Sequence, residues 1–302
     1  MPAAPRKRGA ARPDPTSTTP CIHTEPMAAL DLVRSGQLLP ALDALQQEIR
    51  QQPAQARLRV FLFQLLAVLG RTERALAQLK VAGELDPATL PMVQAYGAAL
   101  RCDLLREEVF AGKRTPLVLG EPPAWLPPLI EALRQDGDGA PQAAQQLRAQ
   151  AMEAAPAIGG TIDGRPFAWL ADADPRLGPV FEVLLEGRYY WVPAERVAEI
   201  TFEAPVDLRD TVWLPATFTW RNGGQAMGLM PVRYPGTGAS DDPQLLLARR
   251  TDWSGDDARG WTGLGQRMLV TDDDEYPLLA VRQLRFADTT PAVDAATEAH
   301  GG

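Results

Sequence analysis

Apolar side chains return every third or fourth residue from about position 25 to 156. Leu38, Leu42, Leu45 and Ile49 form one stripe, and Leu58, Phe61, Leu62, Leu65, Leu66 and Leu69 form another. A period near 3.6 predicts amphipathic helices whose stripes share a core. Two helical hairpins fit, roughly 26–51 and 55–85. Gly36, Ala41, Leu42, Leu45 and Pro53 recur 34 residues later as Gly70, Ala75, Leu76, Leu79 and Pro87, and Leu32 recurs as Leu66. This is the period of tetratricopeptide units: glycine lets two helices meet at their turn, alanine fits their crossing, leucine fills the shared core and proline ends the second helix. A third unit, about 89–111, starts near Pro91 with Met92, Tyr96, Leu100 and Leu104 at helical spacing. It lacks the signature, since Leu104 and Val109 stand where glycine and alanine would recur. Such a short array leaves its end faces open, so the helical patterns at 125–133 and 143–154 are expected to cap it. The proline- and glycine-rich stretch 112–128 predicts an ordered loop, and 136–141 a second linker.

Near Pro156 the period changes to 2. Val180–Leu185 and 188–192 flank Glu186-Gly187, and Trp213–Trp220 and 225–230 flank Arg221-Asn222-Gly223-Gly224. Both predict β-hairpins. Further strands are expected at 160–163, 167–171, Val197–Phe202, 245–249, 267–271 and 278–286. Six of the seven tryptophans, at 169, 191, 213, 220, 253 and 261, lie in this half, where core packing is the simplest use for them. The expected architecture is α plus β in several domains: a tail at 1–24, a tetratricopeptide-like helical domain at 25–157, a mainly antiparallel β-rich domain at 158–289, and a tail at 290–302. The tails are rich in small and polar residues, the first with a basic cluster at Arg6, Lys7 and Arg8.

The chain has 302 residues and a net charge of −8, with 17 Lys+Arg against 16 Asp+Glu up to residue 158 and 13 against 22 beyond it. An acidic β-rich half repels phosphate backbones, so nucleic-acid binding is not expected. No run approaches the ~18 apolar residues of a membrane helix, and no apolar region follows the basic cluster. With only Cys21 and Cys102, and no disulfide framework, a cytoplasmic protein is expected.

The usual catalytic constellations are missing from the sequence. The two histidines, His23 and His300, fall in the tails, neither cysteine has a base partner, and no phosphate loop or nucleophile elbow is present. Carboxylates remain: Asp163, Asp172 and Asp174 lie close in sequence, and Asp272, Asp273, Asp274 and Glu275 form a run that could ligate a hard cation. That run lacks calcium-loop spacing and reads more simply as a polar turn. Asp172, Asp174, Arg176, Arg209 and Asp210 could pin loops by paired hydrogen bonds or form a partner surface.

Several longer motifs carry a resemblance. Val109-Phe110-Ala111-Gly112, Leu119-Gly120-Glu121-Pro122-Pro123-Ala124-Trp125, Gly160-Thr161-Ile162-Asp163-Gly164 and the stretch from Ala171 through Asp172, Asp174 and Arg176 to Pro179 resemble the ImpE/TagJ (SciE-type) family. So do 188–193, Asp207-Leu208-Arg209-Asp210, 231–236 and 265–269. These are accessory proteins of bacterial type VI secretion, and the similarity spans about 26–286. The basic N-terminal extension is outside it. The resemblance implies a helical, tetratricopeptide-like part joined to a β-rich part. It further implies a non-enzymatic adaptor that binds an N-terminal helix of the small contractile-sheath subunit, TssB, and works alongside the ATPase ClpV. It brings no catalytic residue, cofactor or metal.

A helix-in-groove mode fits an adaptor of this kind. Since the first helix of each tetratricopeptide pair lines the concave side, Arg57, Val60, Gln64 and Val68 are the expected partner surface, on one helical face. A second candidate surface lies on the acidic β half, around Asp172, Asp174, Arg209 and Arg233. The rival from another class is a metal-dependent hydrolase built on the β-half carboxylates, and a third reading is a purely structural subunit.

Overall fold

The computed structural model describes residues 27–256 and 260–288. His23, His300, Cys21 and both tails lie outside the described residues. The chain opens with α1 (Met27–Arg34), α2 (Leu38–Gln51), α3 (Ala56–Val68), α4 (Thr72–Leu85) and α5 (Leu90–Phe110). A two-residue strand, β1 (Leu117–Val118), precedes α6 (Leu126–Gly137) and α7 (Pro141–Ala154). The recurring residues occupy equivalent places. Gly36 and Gly70 turn the two hairpins with φ of 80° and 66°, a left-handed conformation that glycine adopts without steric cost. Ala41 and Ala75 are fully buried, as are Leu45 and Leu79. The third unit is one long helix, α5, on which Tyr96 and Leu100 are buried and Leu104 is exposed.

The β half comprises β2 (Gly160–Ile162), β3 (Arg165–Phe167), β4 (Leu170–Asp172), β5 (Val180–Leu185), β6 (Arg188–Pro193), β7 (Val197–Phe202), β8 (Trp213–Trp220) and β9 (Gln225–Pro231). A helical turn, α8 (Pro243–Leu246), leads to β10 (Thr251–Asp256), β11 (Gly260–Gly265), β12 (Met268–Thr271), β13 (Glu275–Pro277) and β14 (Gln283–Phe286). Nine strands form one sheet in the order β1-β6-β5-β9-β8-β7-β14-β2-β3, antiparallel except where β1 pairs with β6. A small sheet β13-β12-β4 and the hairpin β10-β11 complete the strands.

Two expected hairpins form at their turn residues. Glu186 and Gly187 both take positive φ between β5 and β6, and the Asn222 side chain accepts the Gly224 N–H at 3.0 Å between β8 and β9. The expected strand at 245–249 is instead α8. Asp242 caps it by accepting the Gln244 N–H at 2.7 Å, Pro243 stands in its first turn, and Leu246 and Leu247 turn into the helical core. The expected strand 167–171 divides between two sheets, because the Asp272 carboxylate takes the Ala168 N–H at 2.7 Å. Residues 278–286 likewise split into a 3-10 turn, Leu278–Ala280, and β14.

The alternation along β5 explains how the halves join. Its residues are buried on both faces. Val180 and Leu184 pack into a core shared with α1 to α7, together with Tyr189, Trp191 and Trp213, while Phe181, Val183 and Leu185 face a second core under the small sheet. A strand covered on both sides reads as a continuous apolar run. Glu182 interrupts that run, on the face toward the helices.

Candidate functional site

Glu182 is fully buried and is met by α5. Arg106 forks onto it with 2.6 and 2.8 Å hydrogen bonds and donates to the Arg233 carbonyl at 2.9 Å. Arg267 also donates to Glu182, and to Asp172 at 2.8 Å and the Pro231 carbonyl at 3.1 Å. Tyr189 donates its hydroxyl to Glu182 and accepts the Trp191 indole N–H at 2.7 Å. Burial opposes ionisation of Glu182, but Arg106 and Arg267 outweigh it and hold the carboxyl at about 2. Asp172 has a smaller share of the cationic field, and burial raises it to about 7 despite Arg267. This network ties the helical array to the sheet: Arg106 of α5 and Arg267 of the β half meet on the one carboxylate of Glu182.

The second expected surface is corrected by this geometry. Asp172, Asp174 and Arg233 are inside the molecule. Asp174 pairs with Arg176 and accepts the Gly263 N–H at 3.3 Å. Arg233 crosses to the helical half, where it donates to the carbonyls of Val68 at 2.7 Å and Ala67 at 3.2 Å, and to that of Leu246 at 2.8 Å. Burial lowers its pKa to about 10, with Asp103 partly offsetting the loss. The hydrogen bonds of these side chains are spent on the fold.

The first expected surface is partly corrected. Val68 is fully buried and Gln64 nearly so, because the connection between β7 and β8 folds across the concave face of α3 and α5. The 3-10 turn in that connection, Leu208–Thr211, carries a capping box of Asp207 and Asp210. Gln64 accepts the Arg209 N–H at 3.3 Å, and the Arg209 guanidinium lies 4.6 Å from the Tyr96 ring centroid. Among the described residues, two cavities open on either side of this turn. One, about 520 Å³, is lined by Leu30, Arg57, Val60, Phe61 and Gln64 on the helical side and Val206, Asp207 and Leu208 on the β side. Thus Arg57, Val60, Gln64 and the neighbourhood of Arg209 do meet in one place. The other, about 390 Å³, lies beyond the turn and is lined by Ala67, Gly70, Asp103, Glu107, Val212 and Arg233. Asp103 accepts the Trp213 indole N–H at 3.2 Å, and burial pushes its carboxyl up to about 6 against the field of Arg106.

The other candidate chemistries are dispersed. Asp163 caps the approach to β14 by accepting the N–H groups of Arg282 and Gln283 at 3.0 and 2.7 Å. The run from Asp272 closes a tight turn in which Thr271 and Asp274 exchange hydrogen bonds. Among the described residues no three His, Cys, Asp or Glu side chains are grouped as a metal site, and no helix is long and apolar enough to cross a membrane. Cys102 is buried against the Gly187 carbonyl, and burial pushes its thiol up to about 11, away from the range of reactive cysteines. Of the tryptophans, 191 and 213 fill the core, whereas 169, 253 and 261 are exposed. The Arg106–Glu182–Arg267 network was not foreseen from the sequence. Its signal was a single glutamate inside an otherwise apolar strand.

Comparison with known proteins matches this arrangement. Residues 164–285 match the family model described as ImpE protein. The type VI secretion system accessory component TagJ of Pseudomonas aeruginosa is 51% identical over 263 residues, covering 87% of this chain and 92% of that protein. The crystal structure of protein VPA1032 from Vibrio parahaemolyticus superposes with a TM-score of 0.79 at 26% identity, over 86% of this chain and 98% of that one. A helical array and an antiparallel sheet bound into one body, matched nearly end to end by a relative of this identity, make the chain a member of the ImpE/TagJ family.

Proposed function

We propose that this protein is a non-catalytic, cytoplasmic adaptor of a bacterial type VI secretion system. It docks an N-terminal helix of the small sheath subunit, TssB, and works alongside ClpV in sheath recycling. The observation that carries the reading is the 51% identity, over most of both chains, to a protein named as a type VI secretion accessory component. The larger cavity supports a docking role, since it pairs an apolar floor of Val60 and Phe61 with Arg57 and Asp207 at its edges, the composition that accepts an amphipathic helix.

The test is titration of the full chain with a synthetic peptide of the TssB N-terminal helix. Val60→Glu puts a charge in the apolar floor and should weaken binding by at least ~10-fold, about 1.4 kcal/mol, with an unchanged circular dichroism spectrum. Equal binding by the folded variant removes this cavity as the site. No binding by the wild-type chain removes TssB as the partner.

A further inference from the structure

We propose that residues 204–212 are a displaceable strap that fills the middle of the α3/α5 groove in place of a partner's helix, and that the incoming helix takes over its position. This rests on the docking reading above and adds what the groove recognises and how access to it is controlled.

The strap divides what would otherwise be one surface. Val206, Asp207 and Leu208 wall the larger cavity and Val212 walls the smaller. The α3 face runs beneath from Arg57, Val60 and Gln64 on one side to Ala67 on the other. Tyr96 of α5 lies under the crossing point, where Arg209 stacks on it. With the strap lifted, the two cavities join along α3.

The strap's hydrogen bonds are mostly its own. Asp210 accepts the N–H groups of Val206 and Asp207 at 2.8 Å each, Thr211 donates to the Leu208 carbonyl at 2.8 Å, and Arg209 pairs with Asp207. Against the helices its one backbone bond is the 3.3 Å contact from Arg209 to Gln64. A segment that satisfies its own polar groups can leave as a unit without stranding them; what it gives up is the packing of Leu208 on the helical core and of Arg209 on Tyr96. The Arg209 Nε also points back to the strap, 3.9 Å from the Asp210 carboxylate, and makes no hydrogen bond to the helices. Both ends are fixed: the Glu203 N–H is bonded to the Pro215 carbonyl at 3.1 Å, and the Val212 carbonyl to the Val232 N–H at 2.9 Å. Val206, 90% exposed, is held by nothing on its outer side.

The occupant in place also describes its replacement. It is a helical turn that sets an apolar residue, Leu208, into the groove and the next residue, a cation, over an aromatic ring, while an N–H reaches Gln64. The partner helix is therefore expected to carry an apolar residue followed by Lys or Arg at the contact, a pairing stabilised by the ring face of Tyr96.

Two measurements on the full chain test this. In a Cys21→Ser background, Gln64→Cys with Arg209→Cys cross-links the strap to α3. The oxidised form should bind the TssB peptide at least ~10-fold more weakly than the reduced form. Arg209→Ala, which frees the strap, should bind about 3- to 10-fold more tightly than wild type, because the competent state is more populated. Without any peptide, amide exchange at 206–211 should run at least ~10-fold faster than in Trp213–Trp220, through local opening. Protection equal to that of β8, or equal peptide binding by the oxidised and reduced forms, overturns the strap and leaves the docking site standing. Absence of peptide binding in every form removes the docking reading, and the proposal with it.

Discussion

Two glycines at equivalent repeat positions have different surroundings. At Gly36 an added methyl group would meet the Gln244 side chain at 3.4 Å and the Pro243 side chain at 3.7 Å, whereas at Gly70 it would run into the Gly238 carbonyl oxygen. Both have positive φ, so alanine is strained at either. At Gly70 a backbone must also move. Gly36→Ala should therefore cost about 1 kcal/mol and Gly70→Ala at least ~3 kcal/mol, read as the difference in urea midpoint at constant slope. Residue chemistry of this kind was half legible: the 34-residue register identified both turn glycines, but the loop that crowds only one of them lies far away in sequence. The same holds for Asp172, Asp174 and Arg233. Their charge suggested a surface, and long-range partners at positions 68, 246, 263 and 267 put them inside.

At the scale of elements, Arg233 acts as an internal cap on α3. The last carbonyls of a helix have no partner within it and carry the negative end of its dipole. Arg233 supplies both a cation and donors to the Ala67 and Val68 carbonyls while also holding Leu246 of α8. Arg233→Met leaves the Val68 and Leu246 carbonyls without their donor and should destabilise the fold by about 3 kcal/mol or more. Arg233→Lys should recover little, since one ammonium cannot span the fork. Thermal unfolding of the pair, followed at 222 nm, checks both. Helices and hairpins were the most legible elements, because periodicity and turn residues are local signals. Strand β1 is two residues long and pairs only through tertiary context, and 245–249 combines a strand-like apolar run with a cap, Asp242-Pro243, that wins once Leu246 and Leu247 find the helical core.

For the whole molecule, the buried carboxyls set opposite pH dependences. Glu182 is held at about 2, below its ordinary 4.5, so its contribution is complete above 4.5 and is lost as pH falls toward 2. Asp103 and Asp172 are raised from 3.8 to about 6 and about 7. Their contribution is complete below 3.8 and is lost as pH rises through those values. Stability should then decline between pH 4.5 and 7, and Asp103→Asn should make the decline shallower. Chemical-denaturation midpoints across that range, flat in wild type, would contradict the assignment. The bipartite order of helices then strands was plain in the sequence, but not that one core runs through both, with Trp213, Leu246 and Leu247 among the residues of α1 to α7. During synthesis this arrangement imposes an order in time. Arg106 leaves the ribosome first, Glu182 well after it, and Arg267 near the end, so the nascent helical array waits with an open apolar wall and an unmatched charge until almost the whole chain has emerged. Completion of the fold is thus a late, collective event, and chains that stop short of the final strands are natural substrates for chaperones and proteases.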